Sequence, residues 1–71
     1  MNITKKNELI RKERIQKVEN TIRTMTKNGE KEEDIDYKEF TIYLSDELSV
    51  SLRTASEYIK IAKWRIEHDK T

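Results

Sequence analysis

Between Leu9 and Met25 the apolar residues fall at Leu9, Ile10, Ile15, Val18, Ile22 and Met25, and the last four are spaced 3-4-3. That spacing lays them along one stripe of an α-helix and does not fit a strand, whose faces alternate every second residue. Lys27-Asn28-Gly29 follows, a basic last turn and then two residues suited to a helix end. The pattern predicts a first helix over about residues 6–28 and an acidic connector over 29–35. Asp36 can accept backbone N–H bonds as an N-cap, with Glu39 three residues on. Phe40, Leu44 and Leu48 then recur every fourth residue, flanked by Tyr37, Ile42 and Tyr43, which predicts a second helix over about 37–48. Ser49-Val50-Ser51 interrupts it, and Ser51 is suited to cap a third helix. In that helix Leu52, Ala55, Ile59, Ala62 and Ile66 repeat 3-4-3-4, the most regular period in the chain. It is expected to run to about residue 67 and leave a frayed polar tail that holds His68.

Three helices, each with one apolar stripe, predict an all-α three-helix bundle forming a single domain over the 71 residues. At this size the core is worth only a few kcal/mol of net stability. Tyr58 and Trp64 lie beside the third stripe and are expected in the core or at its edge. Ile15, Val18, Ile22 and Met25 also fall on a- and d-like positions, so the first helix could serve a homodimer. Two heptads are too short to specify a coiled coil, and the stripe is expected to pack on the other two helices instead.

Composition narrows the class. One glycine and no proline argue against collagen-like chains, linkers and most all-β folds, and the absence of cysteine removes disulfides, thiolate metal sites and thiol nucleophiles. No apolar run approaches the ~18 residues of a membrane span, and no signal peptide is evident. Charged residues make up 41% of the chain, yet the net charge is only +1. That balance hides a segregation. Residues 1–28 carry eight basic groups against Glu8, Glu13 and Glu19; residues 29–50 carry Lys31 and Lys38 against eight acids; residues 51–71 carry five basic groups against three acids. Screening limits each interaction to about 10 Å, so a polyanion would feel the basic ends rather than the average.

The segment Thr41–Lys60 (TIYLSDELSVSLRTASEYIK) has the form of a helix-turn-helix: apolar Leu44 and Leu48 close one helix, Val50 fills the space under the turn, and Ala55, Tyr58 and Ile59 anchor the next. Ser45 is small where the two helices must cross. The run VSLRTASEYI (Val50–Ile59), with DIDYKEF before it, resembles the helix-turn-helix DNA-binding proteins of small archaeal, plasmid and phage regulators, over residues 34–66. Two departures stand out. Ser49 occupies the turn position where such proteins usually have Gly, and too few residues follow Ile66 for a complete β-wing.

The resemblance implies that the third helix enters the major groove of double-stranded DNA, in a small transcriptional or replication regulator expected in the cytoplasm on the nucleoid. Its candidate contacts are Ser51, Arg53, Thr54, Ser56, Glu57, Lys60 and Lys63. Arg53 lies where a recognition helix reaches base edges and can grip guanine bidentately. Ser51, Thr54 and Ser56 suit phosphate oxygens near the positive end of the helix, and Lys60 and Lys63 add charge neutralisation. Arg11, Lys12, Arg14 and Lys17 on the first helix could track the phosphates as well.

Catalysis, metal and small-molecule binding find little support. His68 is the sole histidine, one glycine cannot build a phosphate cradle, and the acids Glu30, Glu32, Glu33, Asp34 and Asp36 lack the register of a calcium loop. No enzyme activity and no cofactor are expected. Two rivals stand beside this reading. Residues 39–44 alternate apolar and polar, similar to the strand of ribbon-helix-helix repressors, where Thr41 and Tyr43 would face DNA. The segregated charge also suits a protein-interaction module, such as an inhibitor or adaptor of a mobile element.

Overall fold

The computed structural model describes residues 3–29 and 31–69. Glu30 of the acidic connector and Lys70 and Thr71 of the polar tail lie outside them. Three α-helices follow in order: α1 (Ile3–Lys27), α2 (Tyr37–Leu48) and α3 (Leu52–His68), with a single 3-10 turn (Glu32–Asp34) between the first two. No strand occurs among the described residues. The ribbon-helix-helix alternative is therefore overturned. At residues 39–44 the four-residue repeat of Phe40, Leu44 and Leu48 prevails over the short alternation: Phe40 and Leu44 are buried, whereas Ile42, which a strand would place on their face, is exposed.

α3 is the central element, packed against both α1 and α2. The core gathers Ile15, Val18 and Ile22 of α1, Ile35 of the connector, Phe40 and Leu44 of α2, and Ala55, Tyr58, Ile59 and Ala62 of α3. Met25, Leu48, Val50 and Ile66 pack around it half-buried. The a/d-like stripe of α1 thus faces inward, so a coiled coil through Ile15, Val18 and Ile22 would have to take them out of this core. α1 begins earlier than its apolar stripe implies. Among the side chains described, those from Asn7 to Glu13 are all exposed and the first buried one is that of Ile15. The part of α1 that precedes Ile15, residues 3–14, is about 18 Å long at 1.5 Å per residue and is called the arm.

Each helix end has a local cause. The Asp36 carboxylate accepts from the N–H groups of Lys38 and Glu39 (both 3.2 Å), and the Ser51 hydroxyl accepts from the N–H of Thr54 (3.1 Å). At the other end of α2, Ser49 adopts the left-handed conformation (φ 54°, ψ 48°). Its N–H donates to the Asp46 carbonyl and the Val50 N–H to that of Ser45 (3.1 Å), the paired bonds of a Schellman stop. Ser45 has a second role that its small size does not suggest: its Oγ donates to the Val50 carbonyl at 2.6 Å. Ser45 and Val50 thus hold each other through two hydrogen bonds, which fixes the turn into α3.

A polar clasp joins the far ends of α1 and α3. Glu19, nearly buried, accepts from Arg23 Nε (3.2 Å) and Gln16 Nε2 (3.4 Å), and Arg23 Nη2 reaches Asp69 at 3.0 Å. Three expectations need correcting here. Leu52 belongs to the repeat of α3 but stands exposed, because the first turn of α3 leaves the bundle edge. Trp64 is 58% exposed rather than at the core edge. His68 is the last residue of α3 rather than part of a frayed tail: its Nδ1 lies 2.8 Å from the Trp64 carbonyl and its ring stacks on the indole at 4.0 Å.

Candidate nucleic-acid interface

The outward face of α3 is set by the same period that buries its inner face. Arg53, Glu57, Lys60 and Trp64 follow at 4-3-4 spacing, opposite Ala55, Tyr58, Ile59 and Ala62, and all four are exposed. Arg53 occupies the first turn, its side chain 91% exposed, with Nε 3.7 Å from the Glu57 carboxylate one turn on. An ion pair so open to water holds the guanidinium only weakly. Arg53 is thereby free to exchange Glu57 for another acceptor.

The remaining candidates divide. Thr54 and Ser56 flank the stripe half-buried. The hydroxyl of Ser51 is committed to its own helix, accepting from Thr54 N and donating to Thr54 Oγ1 at 3.0 Å, so its function is capping. Lys60 is exposed beside Arg53's stripe. Lys63 is turned toward α2, its Nζ 4.3 Å from the centre of the Tyr37 ring, a cation–π contact that fastens α3 to α2. Arg53, Glu57 and Lys60 therefore share one surface, whereas Lys63 lies at its flank.

On α1, Arg11 and Lys12 are exposed and Arg14 half-buried on the arm. Lys17 reaches Glu47 at the end of α2 (4.0 Å). Gln16 and Glu19 line a shallow hollow with Trp64, Arg65, His68 and Asp69. Residues 16–19 of α1 therefore lie between the end of α2 and the second half of α3.

Trp64 and His68 are the surface features that the sequence analysis missed. Counting Trp64 from Arg53, Glu57 and Lys60, instead of from its neighbours in the chain, would have assigned it to the outer face. Tyr43 and Ile42 are likewise exposed, on an outer face of α2 that they share with Glu39 and Asp46. Among the described residues there is no group of three or more His, Asp or Glu side chains that could hold a metal, and no helix is long and apolar enough to cross a membrane. Comparison with protein-family models, with curated proteins and with solved structures finds no match to this chain.

Proposed function

We propose that this chain binds double-stranded DNA through the exposed face of α3, as a small transcriptional or replication regulator. The observation that carries the reading is Arg53: an almost fully exposed guanidinium in the first turn of a helix that follows another across a three-residue turn. A helix offered in this way fits the major groove, with its N-terminal residues at the base edges. Arg53 would grip guanine, and Glu57, released from it, would accept from a cytosine amino group. Lys60 and the half-buried Thr54 and Ser56 would contact phosphates near the positive end of α3. Lys63 would reach a phosphate only by leaving Tyr37. The acids on the outer face of α2 repel a polyanion, so the duplex approaches along the first half of α3.

The test is fluorescence anisotropy of a labelled mixed-sequence duplex over a salt series. Affinity should fall linearly on a log–log plot, with a slope of about −0.9 per phosphate neutralised. Against a selected site, Arg53→Ala should cost about 1–3 kcal/mol and relax preference at one base pair. Unchanged affinity and preference would refute the role of Arg53. A protein-interaction module is the second reading, favoured by the exposed Ile42 and Tyr43 on an acidic helix; it would show no duplex affinity at low salt.

A further inference from the structure

We infer that the chain pairs with a second copy of itself, the arm of each copy lying along α2 of the other. Two unpartnered surfaces carry this, and they complement each other. On the arm, Leu9 (61% exposed) and Ile10 stand outside the core stripe. Lys12 lies one turn from Glu8, and Arg14 one turn from Ile10. Over residues 3–17 six basic groups face only two acids. On α2, Ile42 (54%) and Tyr43 (56%) stand between Glu39 and Asp46, since 39, 42, 43 and 46 share one helical face. An open apolar groove continues beside them, lined by Met25, Ile35, Phe40, Ile42 and Tyr43, and its only charged lining residues among those described are Asp36 and Glu39.

Apolar pairs within basic and acidic surrounds are what a helix-on-helix contact needs for both attraction and register. Their lengths also match: the twelve residues of the arm and the twelve of α2 each span about 18 Å. Within one chain Leu9 and Ile10 are left exposed, and neither packs against the core. A single contact of this length is a small interface. A two-fold axis makes two such contacts per dimer and so doubles the buried surface, toward the roughly 1,200 Å² at which stable specific interfaces begin. The inference is independent of DNA binding, and exposed leucine and isoleucine on the arm are not what phosphate contact calls for.

Analytical ultracentrifugation at low salt, without nucleic acid, tests it with two charge-reversed variants. The wild type should move from one to two chain masses as concentration rises. Lys12→Glu with Arg14→Glu, and separately Glu39→Lys with Asp46→Lys, should each raise the dimer dissociation constant at least about tenfold, a change of about 1.4 kcal/mol. Their equimolar mixture should regain wild-type association, since the reversed arm then meets the reversed α2 in one contact and the native arm meets the native α2 in the other. Recovery in the mixture also establishes that both variants are folded. A wild type that stays monomeric at every concentration would overturn the inference. So would variants that each associate like the wild type, or a mixture that stays monomeric while both variants keep wild-type helical circular dichroism. Loss of duplex affinity on reversing the arm of a monomeric wild type would assign the arm to phosphates instead.

Discussion

A serine at position 49 holds a backbone conformation that glycine reaches without a steric penalty. The left-handed region costs an L-residue about 1–2 kcal/mol, part of which glycine gives back through the greater entropy of its unfolded chain. Ser49→Gly should therefore stabilise the fold by up to about 1 kcal/mol, and Ser49→Val should destabilise it; urea unfolding followed by circular dichroism reads both. The caps give a second residue-scale prediction. Ser51→Ala and Asp36→Ala should each cost about 1 kcal/mol in the same assay, because each leaves helix N–H groups without their side-chain acceptor. Both caps were legible in the sequence, since a short oxygen-bearing side chain before an apolar period states its own purpose. The handedness at Ser49 was not, because serine occupies ordinary turns as readily. Nor was the Ser45–Val50 bond, which depends on the path the turn takes.

At the scale of the element, α1 is two helices in one. Its second half carries the core through Val18 and Ile22, both essentially inaccessible, whereas Asn7 to Glu13 of its first half are exposed. Ile22→Ala should cost about 2–5 kcal/mol, enough to unfold much of a domain with only a few kcal/mol of net stability. Leu9→Ser, measured at a concentration where the chain is monomeric, should change stability by less than about 0.5 kcal/mol, although leucine and isoleucine are isomers of the same size. Thermal unfolding of the two variants side by side checks the contrast. The periods that predicted the three helices also predicted nearly all of the core, because burial at 3–4 spacing is a property of the helix itself. They failed at Leu52 and Trp64. Leu52 keeps the period but sits where α3 has yet to meet a neighbour, and Trp64, next to the stripe along the chain, falls on the opposite side of the helix. Exposure at an element's end depends on where its neighbours stop, and a period cannot report that.

In the whole molecule, α3 is held on one side and free on the other. α1 and α2 cover its inner face, the Glu19–Arg23–Asp69 clasp and the Lys63–Tyr37 contact fix its flanks, and Arg53, Glu57 and Lys60 remain toward solvent. The segregation of charge visible along the chain becomes spatial here: a basic arm, an acidic α2 and a mixed outer face of α3. The sequence indicated which helix carries the candidate contacts. It did not separate those that face outward together from Ser51, which caps the helix, and Lys63, which turns to α2, because neighbouring helices decide both. The DNA-binding reading rests on that outward face of α3, and NMR titration of the labelled protein with a mixed-sequence duplex tests it most directly. Shifts concentrated on Arg53, Glu57 and Lys60 at low salt, fading as salt rises, are the expected result. Shifts confined to α2, or none at low salt, would contradict it.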